Sequence, residues 1–234
     1  MSNKGLFPTS LSKKYAMAAT GLFLCLFLVG HLLGNLQLFI PGAEGKEAFN
    51  AYALFMTTFP LVKVLSYLTY FGILLHAVDG ILLARANRAA RPVRYAKENG
   101  AANAGWSSRN MALLGTIVLA FIAVHMQNFW YVMHFGEPGM YSLASGEEVK
   151  DLHQVVMDFF GPANSMAIAA VAFYLLAQAA IGFHLWHGFA SAFQSFGLRS
   201  AKYTPWIERV GQAFSVLVPL AFAVIPVYLY ISQH

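Results

Sequence analysis

Apolar residues are grouped along this chain in five long blocks, separated by short stretches rich in charge, glycine and proline. A helix needs about 20 predominantly apolar residues, at about 1.5 Å each, to cross a hydrocarbon core of about 30 Å. Five segments meet that requirement, from about Tyr15 to Ile40, Leu61 to Ala84, Met111 to Met133, Ala163 to Phe189 and Val210 to Ile231. Their separators carry helix breakers and charge: Pro41 and Gly42, Arg91 and Pro92, Glu137 with Pro138 and Gly139, and Tyr203 to Pro205. The stretch GAEGKEAFNAYALFM after the first block reads as a loop. The pattern predicts an all-α, five-helix transmembrane bundle forming a single domain over residues 1–234, with no soluble domain, low-complexity tract or internal repeat.

Composition agrees with lipid as the solvent, because 58% of residues are hydrophobic and only 11% charged, about half the usual charged fraction of a soluble domain. Lys13 and Lys14 precede the first block as they would in a secretory signal. That block, however, far exceeds a signal core of roughly 7 to 15 residues and lacks a small-x-small cleavage site, so it is read as a retained helix. The lone cysteine, Cys25, falls mid-helix and reads as a small core hydrophobe.

The formal net charge of +5 matters through its distribution. Twelve of the fifteen Lys and Arg residues fall at the N-terminus and in the second and fourth connections, and only Lys46, Lys63 and Lys150 fall on the other side. The positive-inside rule then predicts a cytoplasmic N-terminus and an external C-terminus. Basicity here encodes topology, which argues against a nucleic-acid partner.

Ionisable residues inside membrane spans are functional candidates by default, and five histidines, His31, His76, His125, His184 and His187, lie within the blocks. His31 follows Lys14 by seventeen residues and His125 follows Arg109 by sixteen, which puts both about 24 to 26 Å from the cytoplasmic boundary. His76 precedes Arg85 by nine residues on a helix of opposite direction, or roughly 14 Å, and His184 reaches a similar inner level. One histidine on each of four helices makes two pairs at two depths. Two stacked haems need this arrangement, with each iron taking an imidazole from either side. His31 and His125 would bind the outer iron, His76 and His184 the inner.

Glycines near these histidines would let a flat macrocycle approach the backbone. Gly34, Gly80 and Gly188 follow His31, His76 and His184, while Gly21 and Gly115 each fall ten residues before the histidine of their own helix, at the inner level. His187 lies three residues beyond His184 and competes with it; His184 is preferred for its depth, leaving His187 to contact a haem propionate or face the interface. No H-E-x-x-H and no compact ligand set point to zinc.

The segments GLFLCLFLVGHLLGN around His31, LLHAVDGILLA around His76, FIAVHMQNFW around His125 and IGFHLWHGFASAF around His184 resemble the single-polypeptide dihaem cytochrome b subunit of succinate:quinone oxidoreductases, the succinate dehydrogenases and fumarate reductases. The resemblance spans nearly the whole chain. It implies a multi-pass subunit of the bacterial inner membrane carrying two b haems. Flavoprotein and iron–sulfur subunits would sit on its cytoplasmic face, menaquinone or ubiquinone would react near the outer haem, and the whole would be a heterotrimer that can dimerise. His76 and His184 would hold the haem nearer the iron–sulfur partner. Succinate and fumarate chemistry would belong to the partners. Some dihaem fumarate reductases use a glutamate on the fourth helix for proton transfer; the residues around Gly182 and Phe183 include no carboxylate.

A quinone site requires an apolar cleft, a few polar groups and a proton route. Asn35, Gln37 and Gln127 offer hydrogen bonds on the outer side, and Glu44 and Glu47 offer a proton relay, although each also fits a capping or solvated role. Asp79, the one carboxylate within a span, either takes up protons beside the inner haem or pairs with Arg85 or Arg88 at the rim. Two rival readings stand beside the resemblance: the dihaem anchor of another quinone-linked oxidoreductase, and a haem-free transporter with histidine proton relays.

Overall fold

In the computed structural model, residues 9–90 and 104–234 are described. The basic residues Lys4, Arg91, Arg94 and Lys97, and the expected break at Arg91 and Pro92, lie outside them. Five helices are long and apolar enough to cross a membrane. They are α1 (Ser10–Asn35, continued by a 3-10 turn to Phe39), α3 (Pro60–Ala89), α5 (Met111–Phe135), α7 (Ala167–Ser195) and α8 (Thr204–Gln233). Between them lie α2 (Gly42–Thr58), the short α4 (Trp106–Arg109), a hairpin of β1 (Met140–Ser142) and β2 (Glu148–Lys150), and α6 (Leu152–Phe160).

Local chemistry explains the helix limits. Thr9 and Ser12 form a reciprocal capping box that opens α1. Proline stands in the first turn of both α3 and α8, where its missing N–H costs nothing and its fixed φ suits the helix. Pro205 therefore starts the fifth span rather than separating it, and that helix begins at Thr204, well before Val210. The fourth span begins at Ala167 instead of Ala163, because the Asn164 side chain accepts from the Met166 N–H and holds a turn there.

The stretch expected as a loop after α1 is a helix of 17 residues, α2. A Cβ at Gly45 would collide with the Ile40 carbonyl, so only glycine lets α2 fold back so tightly on the end of α1. With the hairpin and α6, α2 caps one end of the bundle; the other end carries Lys13, Arg88, Arg109, Arg199 and Arg209 and is called the basic end. The hairpin pairs Met140 with Lys150, Tyr141 with Val149 and Ser142 with Glu148. Lys150 also donates to the Met133 and Gly136 carbonyls, at 2.9 and 3.0 Å, satisfying the end of α5.

Side chains such as Leu26, Leu74, Leu113, Leu176 and Leu217 stand exposed around the bundle, the surface expected to meet lipid. Coverage is greatest for α7 and α8, whose apolar windows are 33% buried against 11% for the other three spans. Apolar surface gains little by moving from lipid into protein, so close packing must hold these two helices together. Pro219 lacks the N–H that the Ser215 carbonyl would otherwise accept in the helix. That carbonyl meets Gly182, where an added Cβ would lie 3.0 Å from it. The main apolar core joins Leu38, Phe121, Phe160, Val171, Tyr174, Ala177, Ile225 and Leu229.

Candidate functional site

Four histidines from four spans meet in two pairs. The rings of His31 on α1 and His125 on α5 lie 5.8 Å apart between centroids, with planes at 86°. Those of His76 on α3 and His184 on α7 lie 6.2 Å apart at 68°. A metal ion held by two opposed imidazoles at about 2 Å each leaves ring centroids roughly 6 Å apart. Both spacings fit two-coordinate protein ligation of an iron whose remaining four positions belong to a macrocycle. Among the described residues no group of three or more His, Cys, Asp or Glu side chains is placed to hold a metal ion.

The second site feature is the close approach of bare helix backbone to the His76–His184 pair. A Cβ on Gly21 of α1 would lie 3.3 Å from His76 Cε1, and one on Gly115 of α5 would lie 3.6 Å from His184 Cε1. All four spans that carry a paired histidine therefore meet at this level, two contributing imidazoles and two contributing bare backbone. The other glycines serve differently. The missing side chain of Gly34 is filled by the ring of Tyr52, 2.5 Å from an added Cβ, and Gly80 and Gly188 face the methyl ends of Met17 and Met111.

Hydrogen bonding differs among the four imidazoles. His76 Nδ1 is 3.0 Å from Thr20 Oγ1, His125 Nδ1 is 3.2 Å from the Tyr174 hydroxyl, and His184 Nδ1 is buried with no hydrogen-bonding partner. A buried polar atom without a partner is costly, and binding a metal through either ring nitrogen would change what that ring must satisfy. His31 stacks on Phe27 at 5.3 Å and lies 5.6 Å from Phe222. The donor set, the spacing and the bare backbone together fit haem, with His31 and His125 for one iron and His76 and His184 for the other. His187 instead lines a cavity of about 310 Å³ with Trp106, Ser107, Ser191, Gln194 and Gln212 at the basic end.

Past His125 the α5 backbone widens into a π-helical stretch, Met126–Tyr131, a distortion often found at functional sites. Met126, Gln127, Trp130 and Tyr131 line an open cavity of about 360 Å³ there, and Trp130 Nε1 donates to the Tyr70 hydroxyl at 2.8 Å. Asn35 and Gln37 spend an amide hydrogen on carbonyls of their own segment, His31 and Gly34. Glu44 is exposed, and Glu47 accepts from the Ala144 N–H at 2.9 Å. Only Gln127 among these polar candidates lines that cavity.

Asp79 is buried with Oδ2 unpartnered. The ion pairs among the described residues are Lys46 with Asp151 and Arg199 with Glu208, so the expected rim pairing of Asp79 with Arg85 or Arg88 is not formed. One turn past His76, the side chain is directed into the bundle rather than along α3 to the arginines.

Sequence reasoning missed a buried polar cluster in the cap. Asp151 caps α6 through the Gln154 N–H, accepts from Asn50 Nδ2 at 3.0 Å and lies 2.6 Å from Lys46 Nζ. Asn50 in turn accepts from the His153 N–H at 2.9 Å. Burial alone would raise the Asp151 carboxyl, but hydrogen bonds from Lys46, Asn50 and Gln154, with the Lys46 charge, hold it below the ordinary carboxylate range. Burial lowers His153, whose Nδ1 has no partner. Thr20 and Tyr174 were also missed. Tyr174 falls ten residues before His184, the same offset that singled out Gly21 and Gly115, so extending that count to α7 would have found it.

Compared with models of known families, with curated proteins and with solved structures, the chain matches none.

Proposed function

We propose that this multi-pass protein is the dihaem cytochrome b membrane anchor of a succinate:quinone oxidoreductase, passing electrons between a cytoplasmic iron–sulfur subunit and membrane quinone. The observation that carries this reading is the meeting of His31 with His125 and of His76 with His184 at 5.8 and 6.2 Å. The sequence resemblance around those four histidines supplies the enzyme class.

Haem bound at such a site supplies a one-electron iron couple whose potential the protein tunes. The chain's residues would hold and orient it: the four imidazoles would ligate, Gly21 and Gly115 let the α1 and α5 backbones approach the His76–His184 pair without a side chain between, and the lipid-facing shell excludes water. Ten residues separate Gly21 from His31 and Gly115 from His125, a rise of about 15 Å, so the two ligand levels are stacked along the bundle axis. Quinone, menaquinone or ubiquinone, is assigned to the end beyond His125, where Gln127 and Trp130 line the cavity beside the π-helical stretch. An apolar cleft with few polar groups suits such a ligand. The bacterial inner membrane and flavoprotein and iron–sulfur partners complete the reading.

Purification of the tagged chain from its native membrane tests the enzyme class. The expected result is co-purification of a flavoprotein and an iron–sulfur protein, with succinate-dependent reduction of a quinone analogue. Partners bearing molybdenum or nickel centres would instead assign the anchor to a different respiratory enzyme.

A further inference from the structure

Thr20 lies on α1 beside Gly21 and offers His76 a side-chain acceptor next to the Met17 carbonyl, which also accepts from that imidazole. Its Oγ1 is 2.7 Å from the Ala16 carbonyl and 3.2 Å from that of Met17. Carbonyl oxygens only accept, so the single hydroxyl hydrogen of Thr20 is committed to its own helix, the common back-bond of threonine in apolar surroundings. Toward His76 Nδ1, 3.0 Å away, the hydroxyl presents a lone pair. His76 must therefore donate its Nδ1–H, and the neutral ring carries its free lone pair on Nε2. The hydroxyl of Tyr174 has no such commitment toward His125, and His184 Nδ1 has no partner at all. Among these three imidazoles, only that of His76 has its tautomer fixed in advance.

We propose that Thr20 is a positioning residue for the inner haem: it holds His76 with Nε2 free for iron and, by accepting the Nδ1 hydrogen, strengthens electron donation from the ring and lowers the potential of that haem. Partners of this kind orient metal-bound histidines and raise ligand donor strength. The inference rests on the haem reading above, and its test separates the two.

The experiment uses the intact complex with Thr20→Val and Thr20→Ser, scored by haem content, optical redox titration and electron paramagnetic resonance. In Thr20→Val, which keeps the shape and removes the side-chain acceptor, the inner haem should be oxidised less readily. The expected shift is up to a tenfold change in its oxidised-to-reduced ratio, about 59 mV upward for a one-electron couple; the outer haem should be unchanged. Thr20→Ser should restore the wild-type value. Selective loss of the inner haem in the valine variant, reversed by serine, also supports the proposal. Valine and serine variants that behave alike, in either direction, overturn it, since the hydroxyl would then be irrelevant. A wild-type complex without two haems would instead remove the haem reading itself.

Discussion

His31 and His125 face each other from α1 and α5 with their ring planes 86° apart, while His76 and His184 are twisted by 68°. If the pairs hold haem iron as proposed, near-perpendicular imidazoles would leave the iron d-orbitals that take part in π bonding almost degenerate. Ferric low-spin centres of this kind give highly anisotropic resonance signals. Two such signals are expected at low temperature, the more anisotropic from the outer pair. Ordinary rhombic spectra for both centres would show that the rings lie parallel.

Space beside the inner pair is limited on one side. A methyl group at Gly21 would press on His76 Cε1 at 3.3 Å, whereas one at Gly115 makes an ordinary contact with His184 at 3.6 Å. In the haem-loaded form proposed above a ring tied to iron would not yield, so Gly21→Ala should cost that form about 1–3 kcal/mol and deplete the haem at His76 and His184. Gly115→Ala should be close to neutral. Thermal melts followed by Soret absorbance would check the pair, and equal effects would contradict the geometry.

The cap over the end of the bundle opposite the basic one should loosen on acidification, by two groups with the same sign. His153 is held below its ordinary value by burial, so the open form binds more protons, and the stability this group contributes falls as pH drops below about 6.5. Asp151 is held low, and its contribution, complete above about pH 4, is lost as pH falls through its folded value. Hydrogen exchange across α2 and α6 should therefore accelerate in two stages, and His153→Phe should abolish the first. Exchange independent of pH, after correction for intrinsic rates, would refute this.

Docking of α2 depends on a backbone contact that no side chain can replace. Gly45→Ala would drive a methyl group into the Ile40 carbonyl, and α2 should detach from the end of α1. The measurable result is rapid proteolysis between α1 and α3, with any haem held by the proposed His76–His184 pair retained. A protease-resistant variant would contradict the packing described.

The five spans were legible because lipid demands long apolar runs, and which histidines meet was legible because rise per residue converts position into relative height along the bundle. The cap was not. Residues 42–58 mix Lys46, Glu47 and Asn50 with Phe49 and Phe55, a pattern whose burial depends on α6 and the hairpin arriving from a hundred residues away. The start of the fifth span was misjudged at Pro205 because proline begins a helix as readily as it ends one. Thr20 sits at the inner level by simple counting, but its contact with His76 depends on the rotation of α1 against α3, which hydropathy does not encode. Asp79 likewise had its height given by its position, not the direction of its side chain.

Haem quantitation in purified wild-type protein and in His31→Ala and His76→Ala tests the central claim most directly. Two b haems per polypeptide are expected in the wild type, with each variant retaining one, and the two remaining haems should differ in potential and spectrum. A wild-type chain with fewer than two haems, or variants that both keep two, would contradict the pairing of these four histidines around iron.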